Sequence, residues 1–204
     1  ATPRDRAERI TPNGSQTLSK AASRFPSAYP SFLSPGDGAK VWDEEGRAYT
    51  DWSCALGAVT LGHAYPDVVA AVRRQIGRGS ILSLPHILEA NVAERLLSML
   101  PCGRGGMVRW LKTGSEADAA AVRVARAATG RDIIAICGYL GYFDWYAASR
   151  PEHPGVPKPM TELVATFEHD TNGVARKTAW RAETPNLVRI QSTGSALTTP
   201  ATYS

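Results

Sequence analysis

The sequence predicts an α/β fold, in which an antiparallel β-hairpin precedes the start of a mainly parallel sheet with flanking helices. Residues 39–52 alternate apolar and polar side chains on both sides of the turn residues Asp43-Glu44-Glu45-Gly46, a pattern typical of a hairpin. Residues 107–137 follow another rhythm: MVRWL is typical of a strand, residues 113–129 of an alanine-rich helix ending at Gly130, and DIIAIC of a second strand. A strand, a helix and a strand in this order predict two parallel neighbours.

The other elements divide the chain into three parts. Residues 1–65 hold a polar, turn-rich arm with one short helix, followed by the hairpin. Residues 66–167 hold two helices, which begin after Tyr65 and Pro85 and whose apolar stripes we expect to face the core, then the strand-helix-strand unit and a short strand, ELVATF. Residues 168–204 show no sustained hydrophobic period of a helix or a strand and end in a Ser/Thr-rich segment, so we expect a poorly ordered tail.

The composition is that of a globular protein. A chain of 204 residues with 43% hydrophobic and 21% charged residues can bury a core, and it is unlike disordered, collagen-like or disulfide-dense chains. The net charge is +4, but Arg and Lys are mixed with Asp and Glu along most of the chain, so we expect no nucleic-acid partner. No apolar stretch approaches the length of a membrane span, so we expect no membrane partner.

The cysteines indicate the compartment. Cys54, Cys102 and Cys137 are odd in number and widely spaced, with no Cys-x-x-Cys pair and no nearby His at zinc-ligand spacing. We therefore expect no metal site, and reduced thiols in a cytoplasmic protein.

A turn between the predicted strand and helix carries the sharpest local pattern, LKTGSEADAA. Thr113 and Glu116 have the spacing of a capping box, so the helix should begin there. Unpaired N–H groups of Gly114, Ser115 and Glu116, at the positive end of the helix dipole, would attract an anion such as a phosphate. An ordinary capped helix without a ligand explains the spacing equally simply, and spacing alone favours that alternative.

An aromatic segment, residues 137–144 (CGYLGYFD), follows the next predicted strand. Ligands of open α/β sheets bind beyond the carboxyl ends of the strands, and an aromatic side chain there can stack on a flat ring. The alternative is an aromatic cluster that closes the top of the core.

Taken together, these segments resemble the class III pyridoxal-phosphate aminotransferases, most closely the glutamate-1-semialdehyde aminomutase branch. The resemblance is carried by VWDEEGRAYTDWSCALGAVTLGHAYPDV, SLPHILEANVAERL, LKTGSEA and AAVRVARAATGRD, and runs almost continuously from about Tyr29 to Pro157. It implies the N-terminal half of a fold type I pyridoxal-phosphate transferase. Residues 1–65 then correspond to part of the small domain, and residues 66–167 to the first part of the cofactor-binding large domain.

The resemblance implies pyridoxal 5'-phosphate as cofactor and assigns residues to it. The family's phosphate-binding turn corresponds to Thr113, Gly114 and Ser115. The aromatic residue that stacks on the pyridine ring corresponds to Tyr139, and the glycine of the same element to Gly141.

Four positions qualify this assignment. Lys112 stands where the family commonly has Asn, and Leu140 where it commonly has His, so an imidazole near the ring is missing. Trp52 and Ser53 lie where family members line the substrate pocket, in a segment that varies.

The resemblance also implies what the chain lacks. The reaction needs a lysine and an acidic group at the pyridine nitrogen, and after Pro157 neither family segment is present; Lys158 and Lys177 have no family-like neighbours. We therefore expect a truncated aminotransferase or aminomutase that is inactive alone. Its substrate would be an amino acid, an amino aldehyde or an amino sugar. We expect the chain to form a homodimer or to pair with a homologous chain. The alternatives are a non-catalytic structural or regulatory subunit that pairs with a full-length homologue, and an unrelated β-α-β module.

Overall fold

The computed structural model describes residues 2–101, 103–169, 175–177 and 187–191, with side chains described as far as residue 167. The chain forms two compact units, residues 1–84 and residues 85–204. The three-part division at residues 65 and 167 stays a prediction.

The first unit contains an N-terminal arm, a small antiparallel sheet and a helix. Helix α1 (Pro3–Ile10) begins at a capping box between Thr2 and Asp5. Three short 3-10 turns follow it, at Pro12–Gly14, Leu18–Lys20 and Ala22–Arg24. The strands pair in the order β1-β2-β3 and the helix comes last: β1 (Leu33–Asp37), β2 (Lys40–Asp43), β3 (Ala48–Thr50) and α2 (Pro66–Ile76). The predicted hairpin is β2 and β3, with Val41 opposite Tyr49.

Asp43 holds the turn of this hairpin together. Its carboxylate, which is 3% exposed, accepts hydrogen bonds from the backbone N–H groups of Glu45 (3.0 Å) and Arg47 (2.9 Å), from Arg47 Nε (2.7 Å) and from the Tyr49 hydroxyl (2.9 Å). Burial opposes ionisation, but these hydrogen bonds, those of Arg47 foremost, outweigh it and lower the pKa of Asp43 to about 2.

The second unit is built around a four-stranded sheet. Its elements in chain order are α3 (Ile87–Met99), α4 (Gly114–Thr129), β4 (Ile133–Cys137), α5 (Asp144–Ala147), a 3-10 turn (Lys158–Leu163), β5 (Val164–His169), β6 (Ala175–Lys177) and β7 (Leu187–Gln191). The strand order is β6-β5-β4-β7. Strand β4 runs parallel to β5 and to β7, with Ile134 opposite Val164 on one side and Val188 on the other.

The core of this unit lies beneath the carboxyl end of β4. Its buried members are Val122, Ile134, Ile136, Leu140, Trp145 and Tyr146. Ala135 is also buried, so β4 is covered on both faces, as is typical of a central parallel strand. The loop that follows β4 is thereby anchored on both sides of Gly141, by Leu140 before it and by Trp145 and Tyr146 after it.

The predicted strand MVRWL is wrong. Residues 107–111 pair with no strand, Met107 is 96% exposed, and the Trp110 indole N–H donates to the backbone oxygen of Glu89 on α3 (3.1 Å). The places on both sides of β4 are taken by β5 and β7, so no edge beside β4 is left for residues 107–111. The parallel neighbour of β4 that precedes it in the prediction is therefore replaced by strands that follow it.

The structure describes two strands, β6 and β7, within residues 168–204, where the sequence predicted none. They are three and five residues long, too short to show a period. Glu168 and His169 end β5, and the remaining residues of that predicted tail lie outside the described residues.

The apolar stripes of α2 and α3 do not face a core, contrary to the prediction. Neither helix has a buried residue: Val72 and Ile76 on α2 are 50% and 66% exposed, and Val92 and Met99 on α3 are 48% and 68% exposed. In the described part of the chain, no element covers these faces.

Candidate functional site

The N-terminus of α4 has the predicted capping box. The backbone N–H of Glu116 donates to Thr113 Oγ1 (3.2 Å), and Glu116 Oε2 accepts from the backbone N–H groups of Thr113 (2.9 Å) and Lys112 (3.0 Å). The backbone N–H of Ala117 donates to the Thr113 carbonyl (3.0 Å). These bonds fix the turn Thr113–Ser115 in one conformation before any ligand arrives.

Two backbone donors of this turn stay free. Within the residues that the structure describes, the N–H groups of Gly114 and Ser115 have no acceptor. The prediction for Glu116 is wrong, because Thr113 occupies its N–H. Two adjacent N–H groups at the positive end of a sixteen-residue helix form a site suited to a phosphate oxygen.

Gly141 lies directly against Ser115. Its φ is +110°, and a Cβ added to it would lie 2.9 Å from Ser115 Cα, 2.8 Å from Ser115 Cβ and still closer to Ser115 Oγ. A side chain does not fit in that space, so only glycine allows the loop after β4 to reach the first turn of α4. The structure thus brings together Ser115 and Gly141, two of the predicted site residues, at the carboxyl end of a parallel strand.

Tyr139, two residues before Gly141, is an exposed aromatic residue. It is 69% exposed, and its ring makes a T-shaped contact with the ring of Tyr146, with centroids 5.5 Å apart and an interplanar angle of 78°. The Tyr146 hydroxyl donates to the backbone oxygen of Gly138 (3.3 Å), which ties the buried ring to the loop that carries Tyr139. An exposed aromatic ring that a buried neighbouring ring holds in place is suited to stacking on a flat ligand.

The two alternatives for the aromatic segment apply to different residues. Trp145 and Tyr146 are buried and close the core, whereas Tyr139 and Tyr142 are 69% and 72% exposed. Leu140, at the position where the family that the sequence resembles commonly has His, is 3% exposed and belongs to the core.

Charged groups flank the free donors. Lys112 is exposed, and Glu116 is committed to the capping box. Partial burial raises the pKa of the Asp118 carboxyl, one turn further along α4.

Trp52 and Ser53 lie in the first unit, next to an unusual turn. Cys54, Ala55 and Leu56 have φ values of 50°, 51° and 59°, and Gly57 continues the left-handed turn with φ 85°. Trp52 is 90% exposed. The sequence showed no sign of this conformation, because three successive non-glycine residues rarely adopt it.

An Asp-His pair at this turn was missed from the sequence. His63 Nε2 lies 2.8 Å from Asp51 Oδ2, and Asp51 also accepts from the Ser53 N–H (3.2 Å), the Ser53 hydroxyl (2.8 Å) and the Ala55 N–H (2.9 Å). These hydrogen bonds, first that of His63 and then those of Ser53 and Ala55, lower the pKa of Asp51 to about 2. The Asp-x-Ser spacing is an Asx-turn pattern that could have indicated this cap.

Solved structures share this architecture. The FumI protein of Sphingopyxis sp. MTA144 matches 84% of the chain with a TM-score of 0.72 and 29% identity, and the chain covers 41% of it. An omega-transaminase from Sphaerobacter thermophilus matches 84% of the chain with a TM-score of 0.70 and 28% identity, over 42% of its own length. The fold matches the N-terminal part of the fold type I pyridoxal-phosphate transferases.

The chain belongs to the class III aminotransferase family, whose model matches residues 23–143. It is 38% identical over 176 residues to the glutamate-1-semialdehyde 2,1-aminomutase of Methanothermobacter thermautotrophicus, covering 81% of this chain and 40% of that protein. It is 31% identical to the 3-aminobutyryl-CoA aminotransferase of Cloacimonas acidaminovorans, over 81% of this chain and 39% of that protein. The chain therefore spans about 40% of the length of these curated relatives.

Family membership implies pyridoxal phosphate as the cofactor, and the residues present fit it. The two free N–H groups at Gly114 and Ser115 suit its phosphate, and the exposed aromatic side chain of Tyr139 suits its ring. The described residues contain no group of three or more His, Cys, Asp or Glu side chains placed to hold a metal ion. Among the same residues, no helix is both long and apolar enough to cross a bilayer.

Proposed function

We propose that this chain binds pyridoxal 5'-phosphate through Thr113, Gly114, Ser115, Tyr139 and Gly141, as part of an aminotransferase or aminomutase. The contact between Gly141 and Ser115 supports the proposal, because it brings the turn Thr113–Ser115 and the loop that carries Tyr139 side by side. An ordinary capped helix without a ligand would not require a glycine at position 141. The substrates would be an amino acid, an amino aldehyde or an amino sugar.

Each residue has a separate task in this proposal. The N–H groups of Gly114 and Ser115 donate to phosphate oxygens, and the Thr113 hydroxyl, which accepts from Glu116, still has its own proton to donate. The Tyr139 ring would stack on the pyridine ring of the cofactor. Trp52 and Ser53 contact the amino substrate; the Ser53 proton is committed to Asp51, so its oxygen is left to accept a hydrogen bond. When bound, the cofactor supplies the carbonyl that takes up the amino group and a ring that withdraws electrons.

We expect this chain alone not to complete an amino transfer. The reaction needs a lysine to move the proton and an acid to keep the pyridine nitrogen protonated. Lys158, exposed at the start of a 3-10 turn, and Lys177 are the lysines after Pro157, and neither has family-like neighbours. Turnover of any amino donor by the purified chain would contradict this. We also expect a cytoplasmic protein, since Cys54 and Cys137 are both free thiols.

Titration with pyridoxal phosphate and pyridoxamine phosphate tests the site. We expect Gly114→Val and Tyr139→Ala to weaken binding at least about tenfold, the loss of one good contact. Gly114→Val should fold, because a Cβ at Gly114 meets no atom within 4 Å. Tyr142→Ala is the matched control, since Tyr142 is as exposed as Tyr139. Equal affinity in wild type, Gly114→Val and Tyr139→Ala would refute the site.

A second candidate function is that of a non-catalytic subunit that pairs with a homologous class III chain. The uncovered apolar faces of α2 and α3 favour it. Native mass spectrometry of the chain alone and mixed with a full-length homologue tests it. A mixed complex that Val72→Asp abolishes is expected, and the same substitution should leave pyridoxamine phosphate binding unchanged. A chain that stays monomeric in both samples would refute it.

A further inference from the structure

Asp51 lies at the centre of the strained turn in the first unit. Its carboxylate accepts hydrogen bonds from three groups of the segment that follows it, two on Ser53 and one on Ala55. The Ala55 N–H donor belongs to a residue with φ 51°. A non-glycine residue in this region is unfavourable and persists when its surroundings hold it there. Asp51 supplies that hold from inside the turn.

His63 fixes Asp51 from the other side. Its backbone exchanges two hydrogen bonds with Gly38, of 2.9 Å and 2.8 Å, and its ring lies so close to Gly36 that a Cβ there would be 2.7 Å from His63 Cγ. The imidazole therefore has little freedom, and its Nε2 lies 2.8 Å from Asp51 Oδ2. Strand β1, His63, Asp51 and the turn thus form one continuous set of contacts.

We propose that Asp51 and His63 are positioning residues, which hold the left-handed turn Cys54–Gly57 and thereby keep Trp52 and Ser53 in the conformation that contacts the amino substrate. This inference rests on the function proposed above. Strained backbone collects at ligand sites, and here it immediately follows Trp52, whose side chain is 90% exposed. Neither Asp51 nor His63 needs to touch the substrate.

The conformation of the turn has its own probe, the half-buried thiol of Cys54. We expect Asp51→Asn to raise the rate of maleimide labelling at Cys54 at least about tenfold. The reason is that an amide has one acceptor oxygen, whereas the carboxylate uses two. Mass spectrometry measures the labelling. Labelling of Cys137, in the second unit, is the internal reference and should not change. Asp37→Asn is the matched control, since Asp37 is an exposed carboxylate that makes no side-chain hydrogen bond within the described part of the first unit. His63→Leu should act like Asp51→Asn, and His63→Gln, which keeps a donor N–H, should restore slow labelling.

The positioning role is measured by two ligands on the same variants. We expect His63→Leu and Asp51→Asn to weaken binding of N-(5'-phosphopyridoxyl)-L-glutamate about tenfold and to leave pyridoxamine phosphate binding unchanged, since only the former carries a substrate part. Recovery by His63→Gln is expected. Faster Cys54 labelling with equal affinity for both ligands would overturn the inference, as would unchanged Cys54 labelling. Failure of wild type to bind either ligand would refute the proposed function instead, while the labelling would still report on the turn.

Discussion

Gly141 lies against Ser115 in the first turn of helix α4, so closely that no residue with a side chain fits at position 141. A Cβ at Gly141 would lie within 2.9 Å of Ser115 Cα, and the φ of +110° is one that L side chains rarely adopt. The two residues come from different segments, and their contact joins the free N–H groups of α4 to the loop of Tyr139.

Gly141→Ala should destabilise the second unit. The added methyl group meets backbone, so we expect a loss of about 2 to 4 kcal/mol in the free energy of unfolding. Gly155→Ala is the control for φ alone, because Gly155 has a φ of +84° with no neighbour within 4 Å, and should cost about 1 kcal/mol. Urea unfolding compares the two. Equal losses would show that the contact with Ser115 contributes nothing.

Thr113→Val should weaken α4 by about 1 kcal/mol, because it removes the hydroxyl that accepts the Glu116 N–H. Thermal unfolding followed by circular dichroism measures this. Thr113→Ser keeps the hydroxyl and should behave like wild type. If Thr113→Val unfolded at the wild-type temperature, the capping box would not stabilise the turn.

Leu140→His, which introduces the residue common in the family, should destabilise this chain. Leu140 is 3% exposed among Val122, Ile134 and Ile136, so an imidazole there would be buried among apolar side chains. We expect a loss of at least about 2 kcal/mol, against less than about 1.5 kcal/mol for the volume-conserving Leu140→Met. Chemical denaturation decides between them. A stable Leu140→His protein would show that the loop can turn this position outward.

Acid should unfold the first unit partly through Asp43. The pKa of Asp43 is lowered from an ordinary 3.8 to about 2 in the folded chain, so the unfolded chain binds the proton more tightly. The stability that this carboxylate contributes is complete above about pH 4 and is lost as the pH falls towards 2. The free energy of unfolding, measured between pH 2 and pH 7, should therefore depend less on pH in Asp43→Asn than in wild type. Asp37→Asn should follow wild type. Parallel curves for Asp43→Asn and wild type would contradict the hydrogen-bond network at the hairpin.

Local patterns predicted the local structure well. The spacing of Thr113 and Glu116 predicted the start of α4, Gly130 predicted its end, and the turn residues from Asp43 predicted the hairpin. Each depends on contacts between residues a few positions apart, and such contacts form wherever the segment is placed. The site residues named from the family resemblance, Thr113 to Ser115, were found at this helix start.

Local patterns did not predict which distant segments pair or pack together. MVRWL has the composition of a strand, but β4 is paired on both sides by β5 and β7, and the indole of Trp110 instead binds α3 at Glu89. The stripes of α2 and α3 have the period of core-facing helices, yet nothing in the described chain covers them. A period reports that a face is apolar, and not what will lie against it.

The sequence by itself determined the capped turn at Thr113, the hairpin around Asp43 and, through its resemblance, the family and the cofactor that the family implies. The tertiary structure alone decided which N–H groups stay free, that Ser115 meets Gly141, that Leu140 is a core residue while Tyr139 is exposed, and that His63 and Asp51 pair beside a left-handed turn. The physical reason is that capping and turn chemistry act between near neighbours along the chain. Close approach, burial and strain depend on which distant segments the packed core brings together.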